Sequence, residues 1–245
     1  MHGAVMLFVL AQIAGAFLVA PPPKTRLGGI KQPYGSQVVV VLRASSDPSE
    51  KYSDPITAFL GRLLLPKPLD ISSSAADLLI NANAPKRRNL RAKKFAGLIE
   101  RGLGKYEWFV TGRCDASLFT DDFIFTDPSV SLKGLAAYSQ GVARLFDQET
   151  SRAEMISVTA ADEATIVVVW RLEGRVNLPG KPRIKPYIVT TTYCRDGNGL
   201  IVSQQDEFDA PALEILLSSY LPGFGRPPAP PASDLRKAAK AAAGR

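Results

Sequence analysis

The chain has 245 residues, 46% hydrophobic and 22% charged, with 30 Lys and Arg against 23 Asp and Glu for a net charge of +7. That length can bury one sizeable core. His2 is the only histidine, so the downstream chain lacks the commonest general base and metal ligand, and Cys114 and Cys194, far apart and without a CxxC, are too few for a zinc site.

The positive charge is unevenly placed. Residues 1–105 carry fifteen basic and six acidic side chains, a net of +9, whereas 106–222 carry ten and sixteen, a net of −6, and 223–245 return to +4. A nucleic-acid binder needs a basic face on its folded domain, so the acidic middle argues against nucleic acid as a partner.

Taken in chain order, residues 1–16 read as a signal peptide: an apolar run from Ala4 to Ala14 too short to span a bilayer, closing on the small residues Ala14, Gly15 and Ala16. Residues 17–46 then carry Lys24, Arg26, Lys31 and Arg43 as their only charges, the basic and acid-poor composition of a transit segment. The two in series, joined as AGAFLVAP with Phe17 at the junction, resemble the bipartite plastid presequence of algae whose plastids have extra membranes. That resemblance implies a plastid protein, stromal or thylakoid-associated. The plainer alternative is a secretory signal followed by a disordered arm.

An extension over 47–94 follows. Ile56, Phe59, Leu60, Leu63 and Leu64 mark a short amphipathic helix stopped by Pro66 and Pro68, a Ser-rich linker and a second short helix come next, and the run KRRNLRAKK spans Lys86 to Lys94. Its six cations, Lys86, Arg87, Arg88, Arg91, Lys93 and Lys94, form either a solvated face or an electrostatic contact with anionic membrane or an acidic partner.

The main domain is expected over 95–222. Phe95, Leu98, Ile99, Leu103, Tyr106, Phe109 and Val110 fall on one stripe of a helix of about four turns that Gly112 stops. Asp115 can cap a short helix through Leu118 and Phe119, Phe123 to Asp127 alternates as a strand, and Val130 to Lys133 is its hairpin partner. A helix through Leu135, Tyr138, Val142, Leu145 and Phe146 follows. Strands are then expected over 153–160, 165–176, 184–195 and 200–208, the last two joined by the turn Asp196-Gly-Asn-Gly199. A helix after Pro211 closes the domain, and 223–245 reads as a Pro-rich, Ala/Lys tail.

This order predicts an α+β fold, a curved antiparallel sheet packed on N-terminal helices with one further C-terminal helix. With the segments LFTDDFIFTDP, Gly134 at a helix start and GLIVSQQDEF in the last strand, residues 95 to about 220 resemble the nuclear transport factor 2-like superfamily, which includes the SnoaL-like cyclases and ketosteroid isomerase. Within it, GKYEWFVTGRCDASLFTDDFIFTDPSV, LFDQETSR and GLIVSQQDEFDAPALEIL are similar to an uncharacterised plastid and cyanobacterial family. The resemblance implies a cone-shaped domain and allows a homodimer through the sheet. Ketosteroid isomerase uses an aspartate on this fold, but its pattern of base and oxyanion tyrosine does not align here, so no catalytic residue is carried over.

Alternation in the last strand puts Val202, Gln204, Asp206 and Phe208 on one face, the better candidate for the concave side. Asp206 there is either a general base or proton donor tuned by burial, or half of a structural pair with Arg171, Arg195 or a backbone group. Tyr106, Phe109, Phe119, Trp170 and Tyr193 are either core or the wall of a pocket for a small apolar ligand such as a pigment or isoprenoid. Asp122 joins the site only if it points inward. Nucleotide, serine-hydrolase and zinc-protease motifs are absent, and no cofactor is expected. Three functions follow: a ligand-binding or accessory protein, a cofactor-free isomerase, cyclase or dehydratase with Asp206 as base, or an interaction module for a photosynthetic complex.

Overall fold

The computed structural model describes residues 77–128 and 130–243. The segments 1–16 and 17–46 and the helix through Ile56 to Leu64 lie outside the described residues. The elements are α1 (Ala92–Tyr106), α2 (Trp108–Thr111), a 3-10 turn (Ala116–Leu118), β1 (Phe119–Thr126), β2 (Ser131–Lys133), α3 (Leu135–Leu145), β3 (Arg152–Ala160), β4 (Thr165–Arg175), β5 (Arg183–Arg195), β6 (Ile201–Phe208), α4 (Ala212–Tyr220) and α5 (Ala232–Ala243). This is an α+β fold, as expected. One six-stranded sheet runs β2-β1-β6-β5-β4-β3.

Neighbouring strands are antiparallel except β1 and β6, which pair in parallel with Phe125 beside Gln204. Register shifts interrupt four of the pairings, at Phe119/Ile124, Met155/Ser157, Leu172/Gly174 and Cys194/Arg195. Each adds local twist, and together they bend the sheet around the helices. The β4 shift needs its glycine. Gly174 has φ 138°, and a Cβ there would lie 2.2 Å from Ser151 Cα.

The stripe predicted for one long helix is split in two. Glu107 adopts a left-handed conformation, φ 44°, with its N–H bonded to Leu103 O, and α2 starts anew at Trp108. The break turns the chain so that Trp108, Phe109 and Val110 still face the core. Gly112 ends α2 with φ 71°, where a Cβ would meet Ser139 O of α3 at 2.1 Å. Phe95 and Ile99 are wholly buried against the sheet, each contributing about 2 kcal/mol by area.

Two flanks join the domain. Before α1, Ile80 bridges to Asp115, Arg87 N–H reaches Ser117 O at 2.8 Å and Asn89 N–H reaches Asn198 O at 2.7 Å. The segment read as a tail contains α5, which packs on β3; Arg236 Nε donates to Met155 O at 2.8 Å, Ala229 N–H to Pro186 O at 2.8 Å, and Ala232 is buried. Ala/Lys composition favours helix, and a sheet edge supplies the surface that makes it stable. Cys114 is buried and Cys194 exposed, both free thiols.

Candidate functional site

The interior of the sheet divides into a core of rings and a polar corner. In the first, Phe109 of α2 stacks on Trp170 of β4 with centroids 4.5 Å apart and lies parallel to Tyr193 of β5 at 6.5 Å. Phe119 meets Tyr193 at 6.2 Å and Trp108 at 6.3 Å, both near edge-on. Trp108 Nε1 donates to Tyr193 Oη at 3.2 Å. The four rings Phe109, Phe119, Trp170 and Tyr193 are therefore brought together, and they fill space with one another.

Tyr106 is not part of this set. It lies half-buried at the end of α1, with Lys105 Nζ 4.9 Å and the Arg113 guanidinium 5.6 Å from its ring centre. Asp122 is exposed on β1, on the side opposite the buried Phe123 and Phe125. A cleft of about 730 Å³ exists elsewhere, between α1, β3 and α5, with Leu103, Met155, Val158, Arg236 and Lys240 on its walls.

The polar corner is built on β5 and β6, whose pairing sets Thr191 beside Asp206 and Tyr193 beside Gln204. Thr191 Oγ1 donates to Asp206 Oδ1 at 2.7 Å and accepts from Trp170 Nε1 at 3.0 Å. Gln204 Nε2 donates to the same Oδ1 at 3.0 Å and to Tyr138 Oη at 3.2 Å. A chain thus runs from Trp170 through Thr191, Asp206 and Gln204 to Tyr138. It contains no cation, and Asp206 makes no pair with Arg171 or Arg195, the partners its structural reading named. Those two are otherwise engaged: Arg171 with Glu154 and Glu173, Arg195 with backbone carbonyls.

Asp206 is 8% exposed. Burial raises its carboxyl from 3.8 to about 7, against the lowering pull of the Thr191 and Gln204 hydrogen bonds and with a further rise from Asp127. Burial first, then charge on neighbours including Tyr193 and Asp206, holds the Tyr138 hydroxyl well above its ordinary range. Gln204 Oε1 is enclosed without a hydrogen-bond partner, as are Ser139 Oγ and both amide atoms of Gln140 on α3. One inward position beyond Asp206, Phe208 is half-buried and meets Tyr187 edge-on at 5.6 Å. Burial and the carboxylates of Asp127, Asp206 and Asp209 push the Tyr187 hydroxyl up.

Of the residues predicted from sequence, Asp206, Gln204 and Phe208 share this corner, and Trp170 and Tyr193 border it from the ring core. Thr191, Tyr138 and Tyr187 belong to it as well; the alternation of β5 places Tyr187 and Thr191 on the face of Tyr193, and Asp127, a candidate acid by sequence, acts on the corner through its charge. In sequence Tyr138 is one apolar position of a helix stripe, and nothing local tells that its hydroxyl meets Gln204, 66 residues away.

The order of elements and the strand order define an α+β domain with one six-stranded sheet packed on helices. Residues 104–204 match the family model described as "Uncharacterized conserved protein (DUF2358)". Similar solved structures include a phenazine biosynthesis-related protein of Pseudomonas aeruginosa, 16% identical, covering 57% of this chain and 92% of its own with a TM-score of 0.40. A nuclear transport factor 2-like protein of Anabaena variabilis is 18% identical, covering 50% and 95% with a TM-score of 0.39. A protein with a ketosteroid isomerase-like fold from Catenulispora acidiphila, solved with trimethylamine, is 12% identical, covering 50% and 90% with a TM-score of 0.38. No curated protein matches the chain.

Proposed function

We propose that this domain, working in a plastid, binds a small and largely apolar ligand at the corner formed by Asp206, Tyr187 and Phe208 and moves a proton to or from it. The observation that supports the reading is a buried carboxyl held by neutral donors alone, with one oxygen carrying both hydrogen bonds. Such a group changes protonation near neutral pH, where a general acid or base works best. The reaction class is cofactor-free acid–base chemistry, an isomerisation, cyclisation or dehydration. Tyr187 and Phe208 offer apolar surface to the body of the ligand, and Asp206 meets its polar or acidic end.

Asp206→Asn tests it, since the amide keeps the size and the acceptor oxygen that Thr191 and Gln204 use. The variant is expected to fold, and to lose turnover or retention of a small molecule recovered from plastid extract by the parent protein. Equal retention and turnover by both proteins would discard Asp206 as the working group.

A second reading, an interaction module, draws on a different observation: Phe109, Phe119, Trp170 and Tyr193 pack on one another and occupy the inside of the sheet. On that reading the outer surfaces carry the function. Recovery of no small molecule, together with an unchanged phenotype for Asp206→Asn in cells, favours it.

A further inference from the structure

The basic run of the N-terminal flank is not used by the corner around Asp206, and the structure sorts its six cations into two kinds. Lys86 is half-buried. Its Nζ donates to Phe119 O at 2.8 Å and Ala116 O at 3.2 Å and pairs with Asp121 at 3.0 Å, so it ties the flank to the start of β1. Arg87, Arg88, Arg91, Lys93 and Lys94 are all exposed, and among the described residues none of them has an ion-pair partner.

Three features set these five charges in place. Of the acids nearby, Glu163 Oε2 accepts from Ala92 N–H at 3.0 Å, and Asp196, which accepts from Asn198 and Leu200 N–H at 2.9 and 2.8 Å, attracts Arg88 without forming an ion pair with it. The first turn of α1 holds no acidic residue and no side-chain cap, so Arg91, Lys93 and Lys94 stand at the positive end of the helix, where cations are disfavoured unless an external anion offsets them. The backbone beneath is pinned by Arg87 N–H to Ser117 O, Asn89 N–H to Asn198 O, and Arg195 Nη2 to Leu90 O at 2.5 Å. The result is a rigid ridge.

We propose that Arg87, Arg88, Arg91, Lys93 and Lys94 form a docking face for an anionic lipid bilayer. The five cations fall within residues 87–94, all on exposed positions, and none of them lines the cleft of about 730 Å³. A ridge without a recess suits a laterally uniform, multivalent anion. Its neighbouring aromatic, Phe95, is wholly buried under the Arg195 guanidinium at 4.4 Å, so no ring is offered for base stacking as a single-stranded nucleic acid requires. Residues 106–222, at net −6, are repelled by the same surface, which orients the domain with the ridge towards the lipid.

The test is co-sedimentation of the full chain with vesicles of equal parts phosphatidylglycerol and phosphatidylcholine, and with vesicles of phosphatidylcholine alone. Binding is expected only to the first, weakening as salt rises. Replacing the five cations by Gln should reduce the partition coefficient roughly tenfold or more, with an unchanged circular dichroism spectrum and a melting temperature equal to or above that of the parent. Lys86→Gln should do the reverse, lowering the melting temperature while partitioning stays within about twofold. Both proteins keep every other cation of the chain, so the difference reports on the ridge. Equal binding to neutral vesicles, an undiminished partition of the five-fold variant, or binding of an acidic polypeptide such as polyglutamate with no binding of vesicles would each overturn the proposal.

Discussion

Arg195 and Asp206 stand on neighbouring strands with almost equal burial, 7% and 8% exposed, yet their charges are handled in opposite ways. Arg195 spends its donors on three carbonyls from three parts of the chain, Gly199 at 2.9 Å, Glu163 at 2.7 Å and Leu90 at 2.5 Å, and lays its guanidinium over the Phe95 ring. Asp206 is given no positive charge and no backbone donor. Both of its hydrogen bonds fall on one oxygen. A buried charge with each of its three nitrogens hydrogen-bonded is a fastener, joining the β5–β6 hairpin, the loop before β4 and the basic flank. A buried carboxyl left half-committed among neutral donors is a strained titrating group, and such groups concentrate at functional sites.

The largest effect should come from breaking the fastener. Arg195→Ala leaves three carbonyls without their donor and removes the cover from Phe95, and about 5 kcal/mol of stability should be lost in urea unfolding. A loss below about 1 kcal/mol would mean that water replaces the guanidinium and that the contrast with Asp206 is only apparent.

Next comes the pH dependence of stability. The unfolded chain releases the Asp206 proton near 3.8, while the folded chain holds it to about 7. Between those values the folded state binds more protons, so raising the pH weakens the fold, and above about 7 the whole penalty, about 4 kcal/mol, is present. Stability measured at steps from pH 4 to pH 8 should therefore fall for the parent protein relative to Asp206→Asn. Parallel curves for the two would show that Asp206 titrates at an ordinary value.

A smaller change sharpens the role of the hydrogen bonds. Thr191→Val removes a donor that favours the charged carboxylate, so the titration of Asp206 should move up by about one pH unit, and Trp170 Nε1 loses its acceptor at a cost of about 1 kcal/mol. A carbonyl infrared band followed with pH reads the shift directly. No movement would place the control of Asp206 in burial alone.

Much of the architecture is legible in local pattern. Helix stripes, the alternation that buries Gln204 and Asp206 while leaving Gln205 and Glu207 exposed, and the Asp196 to Gly199 turn each follow from residues close in sequence. The surroundings of Asp206 are different. Continued from the turn, where Arg195 lies opposite Ile201, the hairpin would set Thr190 beside Asp206; the shift at Cys194/Arg195 moves the pairing by one residue and brings Thr191 there instead. A one-residue slip exchanges the two faces of a strand, so this single bulge decides that Val189, Thr191 and Tyr193, and not their neighbours, lie on the face with Asp206 and Gln204.

The sequence by itself determined the helix of Leu135–Leu145, the four long strands and which face of β6 turns inward, because those depend on the period of side chains along a few residues, whereas the break at Glu107, the start of β1 at Phe119 and the helix α5 did not follow from it. Only the tertiary structure decided that Asp206 has neutral partners and Arg195 has carbonyls. It also decided that the rings of Phe109, Phe119, Trp170 and Tyr193 close on one another, and that Lys86 is withdrawn from the basic run while its five neighbours stay exposed. Those outcomes depend on register, on the parallel pairing of β1 with β6 and on contacts between residues tens of positions apart, for which no local periodicity exists.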